Sequence, residues 1–187
     1  FTKYVSDNNA TTTKDGTKTA RCDNGCGTKN TVVDKGSKKT NPSQSPKIKI
    51  GQKLQNSVGV RCAITGKNTA ECIGYVGKKN SVTIPPSLKY MGVTYQITSI
   101  KTKAFSGNKN LRSIVIPSSI RTIGSQAFFK CKNLKKITIK TPYLSKKTVG
   151  AKAFKGIHAK AKIKVPKKQK KAYQKLLKAK GAGKKVT

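Results

Sequence analysis

Acidic residues are nearly missing from this 187-residue chain: five Asp and Glu stand against 42 Lys and Arg, a formal charge of +37. Asp7, Asp15, Asp23 and Asp34 all precede residue 47, so the remaining 141 residues carry Glu71 alone against 34 basic groups. Histidine is limited to His158, and tryptophan is absent. General acid/base catalysis, metal activation and Ser or Cys triads each need convergent His or carboxylate groups, which His158 and Glu71 cannot supply. The four early Asp lie in turn-rich sequence, where local hydrogen bonding accounts for them. Gly181-Ala182-Gly183 follows a predicted helix instead of opening one, so it is no phosphate-cradling loop. No run of 18 apolar residues exists, which excludes a membrane-spanning helix. The chain reads as a non-enzyme, and neither a cofactor nor a metal is implied.

Arginine is scarce too, at 4 against 38 Lys. Arg suits bidentate reading of bases and phosphates, whereas Lys is a hydrated point charge on a flexible stem. The charge therefore predicts diffuse attraction to polyanions such as nucleic acid, anionic membranes or wall teichoic acids, without specific nucleic-acid recognition.

What the chain does have is a repeat. ITSIKTKAFSGNKNLRSIVIPSS (97–119) is followed by IRTIGSQAFFKCKNLKKITIKTP (120–142), and the apolar positions superimpose at a spacing of 23. Ile97 matches Ile120, Ile100 Ile123, Phe105 Phe128, Leu111 Leu134, Ile114 Ile137, and Ile116 Ile139. A period of this size marks a solenoid, because one unit cannot bury its apolar face without stacking on a copy. Within LxxIxI, alternation of period two predicts a half-buried strand with Ile114 and Ile116 inward and Ser113 and Val115 outward. VTIPPS (82–87) reads as the strand of an earlier unit, followed by an extended insertion, LKYMGVTYQ. GAKAFKGIHAKAKIKVP (150–166) reads as a later unit. There Lys160 replaces the expected Leu, and Ile157 fills the gap. Four parallel rungs near Ile84, Ile116, Ile139 and Val165 are predicted.

LxxLxLxxN is the usual leucine-rich-repeat core, and residues 111–116 fit it until Ser119 falls where Asn is expected, so the buried Asn ladder is missing. The AF pair with a small residue three positions on, Asn108 or Cys131, resembles the BspA-like leucine-rich repeats of bacterial surface proteins. That resemblance implies a mainly β solenoid with a curved parallel sheet, on the surface of a Gram-positive anaerobe (Firmicutes or Clostridia). Cys131 then sits at the small buried position, as a core thiol.

Residues 1–40 read as a small Thr/Asn/Gly-rich β module with strand pieces at Lys18–Cys22 and Thr28–Val33. The string resembles Cys- and His-rich modules found beside such repeats in surface proteins of anaerobic Firmicutes. It departs from them where Thr12 follows Asn9-Ala10-Thr11 in place of Cys, and no His precedes Phe1. Cys22 and Cys26 are two ligands where a structural zinc site needs four, which favours a local disulfide or a pair of thiols left from a cut module, with a zinc site as the remote alternative. NPSQSP (41–46) reads as a linker. Residues 47–187 form the repeat domain, with a cap over 47–80, repeats over 81–166 and a C-terminal helix over 166–180. In the cap two strand patterns flank Gly66-Lys67-Asn68, and a three-residue loop sets Cys62 opposite Cys72 as a disulfide candidate in an exported chain. The helix starts at a Pro and stops at Gly181. Its stripe of Ala172, Tyr173, Leu176 and Leu177 could lie on a membrane, but it sits directly after the last repeat and is better read as a cap over Phe154, Ile163 and Val165. The chain starts without Met and reads as a piece of a longer polypeptide.

Function then reduces to surfaces. The outward ladder residues Thr83, Val115, Thr138 and Lys164, with Ser113, Lys136, Lys140 and Lys162 beside them, form the candidate face of an extracellular, cell-surface or wall-associated binding or adhesion module. Its partner would be a host or bacterial surface protein or glycan, or an anionic polymer such as teichoic acid. A structural spacer held to an anionic wall by charge is the alternative, with a nonspecific nucleic-acid binder behind it.

Overall fold

The computed structural model describes residues 3–11, 14–21, 28–37 and 49–182, so Cys22, Cys26 and the segment 41–46 lie outside the described residues. The chain divides into two compact units, Phe1–Lys47 and Ile48–Thr187. In the first, β1 (Val5–Ser6), β2 (Gly16–Arg21) and β3 (Lys29–Asp34) form an antiparallel sheet in the order β1-β2-β3. Ala10 and Ala20 are its buried apolar residues among those described, so polar side chains tie the strands instead. Asp7 accepts hydrogen bonds from the Thr17 and Thr19 hydroxyls at 2.6 and 2.9 Å, and Thr19 pairs with Thr31 at 2.8 Å. Cross-strand Thr pairs and a satisfied carboxylate stabilise a sheet too small for a large core.

The second unit begins with β4 (Lys53–Gln55), β5 (Val60–Gly66) and β6 (Thr69–Tyr75), then β7 (Ser81–Thr83), β8 (Ser87–Tyr90) and β9 (Val93–Ile100). It continues with β10 (Ser113–Ile116), β11 (Thr122–Ile123), β12 (Lys136–Ile139), β13 (Lys162–Lys164) and one helix, α1 (Lys170–Ala179). The predicted rungs form a single parallel sheet, β7-β10-β12-β13, in register Val82–Ile114–Ile137–Ile163. This is a mainly β leucine-rich-repeat solenoid. The 23-residue period is the cause: Ile114, Ile116, Ile137, Ile139 and Ile163 alternate inward, 2% exposed or less, while the residues between them face out.

A second parallel ladder joins β6, β9 and β11, aligning Cys72, Ile100 and Ile123, and Ile123 bridges on to Val149. The insertion after the first rung is the hairpin β8–β9, closed by Met91 and Gly92 at positive φ. The β5–β6 connection is shorter than expected. Gly66 pairs with Thr69, leaving a two-residue loop, and an irregularity around Thr65 restores the register that sets Cys62 opposite Cys72.

Between the ladders, the AF turns stack. Phe105, Phe128 and Phe154 lie ring on ring, with centroids 5.2 and 5.3 Å apart and planes within 15°. The backbone stacks with them: Lys103, Phe105 and Gly107 donate to Ser125, Ala127 and Phe129 of the next turn, and Gln126, Phe128 and Lys130 donate to Ala151, Ala153 and Lys155. Two positions per turn become left-handed to aim these groups. Lys103, Gln126 and Lys152 occupy one, with φ 59°, 58° and 54°, and Gly107, Lys130 and Gly156 the other, with φ 71°, 55° and 79°. Neighbouring turns also press close at Gly124 and Gly150, where a β-carbon would collide with the backbone of Thr102 and Ser125.

The missing Asn ladder is replaced by hydroxyls. Ser119 donates to the Ile97 carbonyl at 2.7 Å and Thr141 to that of Ile120 at 2.6 Å, both side chains buried. The end of the stack is closed by a 3-10 turn, Lys167–Gln169, and α1. Tyr173, Leu176 and Leu177 are buried, but Ala172, at the edge of the predicted stripe, is exposed. The Tyr173 hydroxyl donates to the Thr141 carbonyl at 2.8 Å and accepts from the Leu144 amide. The Lys180 carbonyl takes the Phe154 amide, so the helix end supplies the bond that a further turn would have made. In the last repeat Lys160 is exposed, and Ala161 is buried together with the expected Ile157.

Two substitutions test this packing. Phe128→Ala, in the middle of the ring stack, is expected to cost about 3–5 kcal/mol of unfolding free energy in urea titration. Lys130→Gly is expected to raise stability by about 0.5–1 kcal/mol, since relief of a left-handed side chain outweighs the added chain entropy.

Candidate functional site

The parallel register turns the sequence into rows on the outward face of β7-β10-β12-β13. One row runs Ser81, Ser113, Lys136, Lys162 and the next Thr83, Val115, Thr138, Lys164. The face is uncharged at the β7 end and cationic at the β13 end. Adjacent strands lie about 4.8 Å apart and alternate residues along a strand about 6.6 Å apart, so Lys136, Lys162 and Lys164 surround Thr138 on a grid of that size. Lys140 follows the end of β12, its amide bonded to the Ile116 carbonyl. All four lysines are exposed, and Thr138 is half-buried.

No carboxylate stands on this sheet. Glu71, the sole acid of the unit, lies on β6 in the other ladder, 3.5 Å from the Lys101 ammonium. Two exposed ammonium groups about 6 Å apart repel by about 0.7 kcal/mol in water, so the grid costs the fold little. It is available to an incoming anion. Lys162 and Lys164 also occupy the last strand of the sheet, where exposed lysines discourage addition of a foreign strand.

His158 and Glu71 fall on separate elements. His158 sits in the last AF turn, where its Nδ1 accepts the Lys160 amide at 3.1 Å. Among the described residues no group of three His, Cys, Asp or Glu is placed to hold a metal ion.

A different kind of site lies in the cap. Leu54, Val60, Cys62, Pro85, Leu88 and Tyr90 line a largely apolar groove of about 470 Å³. Cys62, Cys72 and Cys131 are buried free thiols. Cys62 and Cys72 hydrogen-bond each other; the bond holds Cys62 below the usual thiol range and, with burial, pushes Cys72 well above it. Cys131 donates to the Phe105 carbonyl at 2.9 Å, and burial pushes it up to about 11. The sequence reading missed the groove and the Arg121 guanidinium stacked 3.8 Å over the exposed Tyr143 ring. Arg121 and Tyr143 sit 22 residues apart, and that near-repeat spacing was the available signal.

Stacked AF turns, a parallel ladder on a 23-residue period and hydroxyls in place of the Asn ladder define the class, a leucine-rich-repeat solenoid. The chain belongs to the family described as BspA type leucine rich repeat region (6 copies), which matches residues 80–180. Among solved structures it is similar to a leucine rich cell surface protein from Faecalibacterium prausnitzii A2-165, with 24% identity over 60% of this chain and 30% of that one and a TM-score of 0.50. It is also similar to a leucine-rich repeat protein from Bacteroides ovatus, with 25% identity over 59% of this chain and 37% of that one and a TM-score of 0.43. The match thus spans about a third of the length of either protein. No curated protein matches the sequence.

The edge position of Lys162 and Lys164 generates a prediction of its own. Lys162→Val with Lys164→Val leaves a bare apolar edge strand, and sedimentation velocity is expected to show stronger concentration-dependent association than for the unaltered chain.

Proposed function

We propose that this chain is a non-enzymatic binding module of a cell-surface or secreted protein, and that its ligand face is the cationic end of the first ladder, Lys136, Lys140, Lys162 and Lys164 around Thr138. The observation that carries the reading is a regular grid of exposed ammonium groups with no carboxylate on its sheet. Solenoids bind through such extended faces, and point charges on flexible stems fit a linear polyanion better than a single rigid anion. An anionic wall polymer of the teichoic acid kind, or an acidic surface glycan, matches that chemistry. An extracellular setting is supported by the family and by the description of the Faecalibacterium relative as a cell surface protein.

The test compares two quadruple variants. Lys136, Lys140, Lys162 and Lys164 all changed to Gln should weaken binding to teichoic acid about tenfold or more at 50 mM salt and flatten the slope of log affinity against log salt by about two to four. Lys78, Lys79, Lys146 and Lys147, all exposed elsewhere on the unit, serve as the control when changed to Gln. Equal losses in the two variants refute the assigned face. Two unrelated duplexes should bind with indistinguishable affinity and the same steep salt dependence. A preference for one duplex that persists at physiological salt refutes the surface-polymer reading in favour of nucleic-acid recognition.

A further inference from the structure

Cys62 and Cys72 are not equivalent members of their pair. Cys62 lines the groove between the β4–β5 strands and the β8 hairpin, and Cys72 does not, so a reagent from solvent meets Cys62 first. Lys89 lines the same groove. An exposed ammonium there attracts carboxylate-bearing reagents. The hydrogen bond from Cys72 holds the Cys62 thiol below its usual range. Cys131 lacks a second cysteine and a groove, and its thiol is the unreactive standard within the same fold.

The strands are set for ring closure. Directly opposed β-carbons of an antiparallel pair lie about 4.5–5.5 Å apart, and a disulfide needs about 3.5–4.5 Å. Register irregularities flank the pair on both sides, between Arg61 and Cys62 and between Ile64 and Gly66. Such bulges bend a strand locally.

We infer that Cys62 and Cys72 form a dithiol that exchanges with anionic low-molecular-weight disulfides, Cys62 attacking through the groove and Cys72 resolving. In the first step the Cys62 thiolate attacks one sulfur of the small disulfide, forms a mixed disulfide and expels a thiolate. In the second, Cys72 releases its proton to water and attacks the Cys62 sulfur. The Cys62–Cys72 bond forms, and the second small thiolate leaves and is protonated. The protein loses two electrons and two protons, and one small disulfide becomes two thiols.

The experiment uses the full chain with Cys22 and Cys26 changed to Ser, reduced and then exposed to oxidised glutathione, with acid quench, alkylation and peptide mass mapping. The Cys62–Cys72 disulfide is expected to accumulate, and Cys131 to remain reduced. Cys72→Ser in this background should trap glutathione on Cys62, while Cys62→Ser should take it up at Cys72 about tenfold more slowly or less. Brief alkylation of the unaltered native protein by iodoacetamide supplies a readout independent of variant folding, with Cys62 labelled ahead of Cys72 and Cys131. Leu88→Trp, which fills the groove, should slow the glutathione step about tenfold and leave the final redox equilibrium in place. Labelling of Cys72 as fast as Cys62, reaction of neither until denaturant is added, or an unchanged rate in Leu88→Trp would each overturn the assignment.

Discussion

The structure depends on one requirement: every turn must hand its backbone hydrogen-bonding groups to the next. A buried amide or carbonyl without a partner costs on the order of 1–3 kcal/mol, and each of the first two AF turns hands three backbone amides to the next. They meet the requirement by placing Lys103, Gln126 and Lys152 in the left-handed region, at the cost of strain in side chains that are not glycine. Phenylalanine is then the residue that keeps these turns in step. Rings about 5 Å apart match the strand spacing of the parallel ladder, so the ring stack and the sheet enforce the same repeat from opposite sides of the core.

Both ends of this ladder are explained by the same need. At the far end the Lys180 carbonyl accepts the Phe154 amide and Gly181 lies against Lys155, so α1 ends the stack by imitating a turn. At the near end the cap does more than cover a rung. Through β6 it is itself the first strand of the second ladder, paired in parallel with β9. The β6–β9 pairing carries an irregularity of its own, between Ala70 and Glu71, as the β5–β6 hairpin does.

How much of this the sequence discloses follows from how each feature is encoded. The first ladder was legible because its Ile alternation repeats at a fixed spacing, and so were the rungs and the closing helix. The second ladder was present in the same text, as Ile97 and Ile100 over Ile120 and Ile123, but two-residue strands such as β11 carry too little alternation to be read as strand. The hydroxyl ladder escaped because Thr141 lies one residue out of the 23-residue register of Ser119. Only coordinates show that its hydroxyl reaches the same place one turn on. Cys62 opposite Cys72 was anticipated through a three-residue loop; the true turn has two, and the irregularity near Thr65 compensates. The groove beside Cys62 could not be read at all, since β4 and β8 meet there from distant stretches of chain.

Composition and fold combine in the charge. A chain with 42 basic residues attracts polyanions wherever its lysines fall, so charge alone cannot distinguish one face from another. Spacing can. At physiological ionic strength the screening length is about 8 Å, and lysines farther apart than this act on a bound polymer nearly independently. The ladder holds Lys136, Lys162 and Lys164 about 5–7 Å from their neighbours, inside that length, so their potentials add. The strand spacing that the stacked phenylalanines and their backbone bonds maintain thereby sets these three lysines apart from the rest of a basic surface.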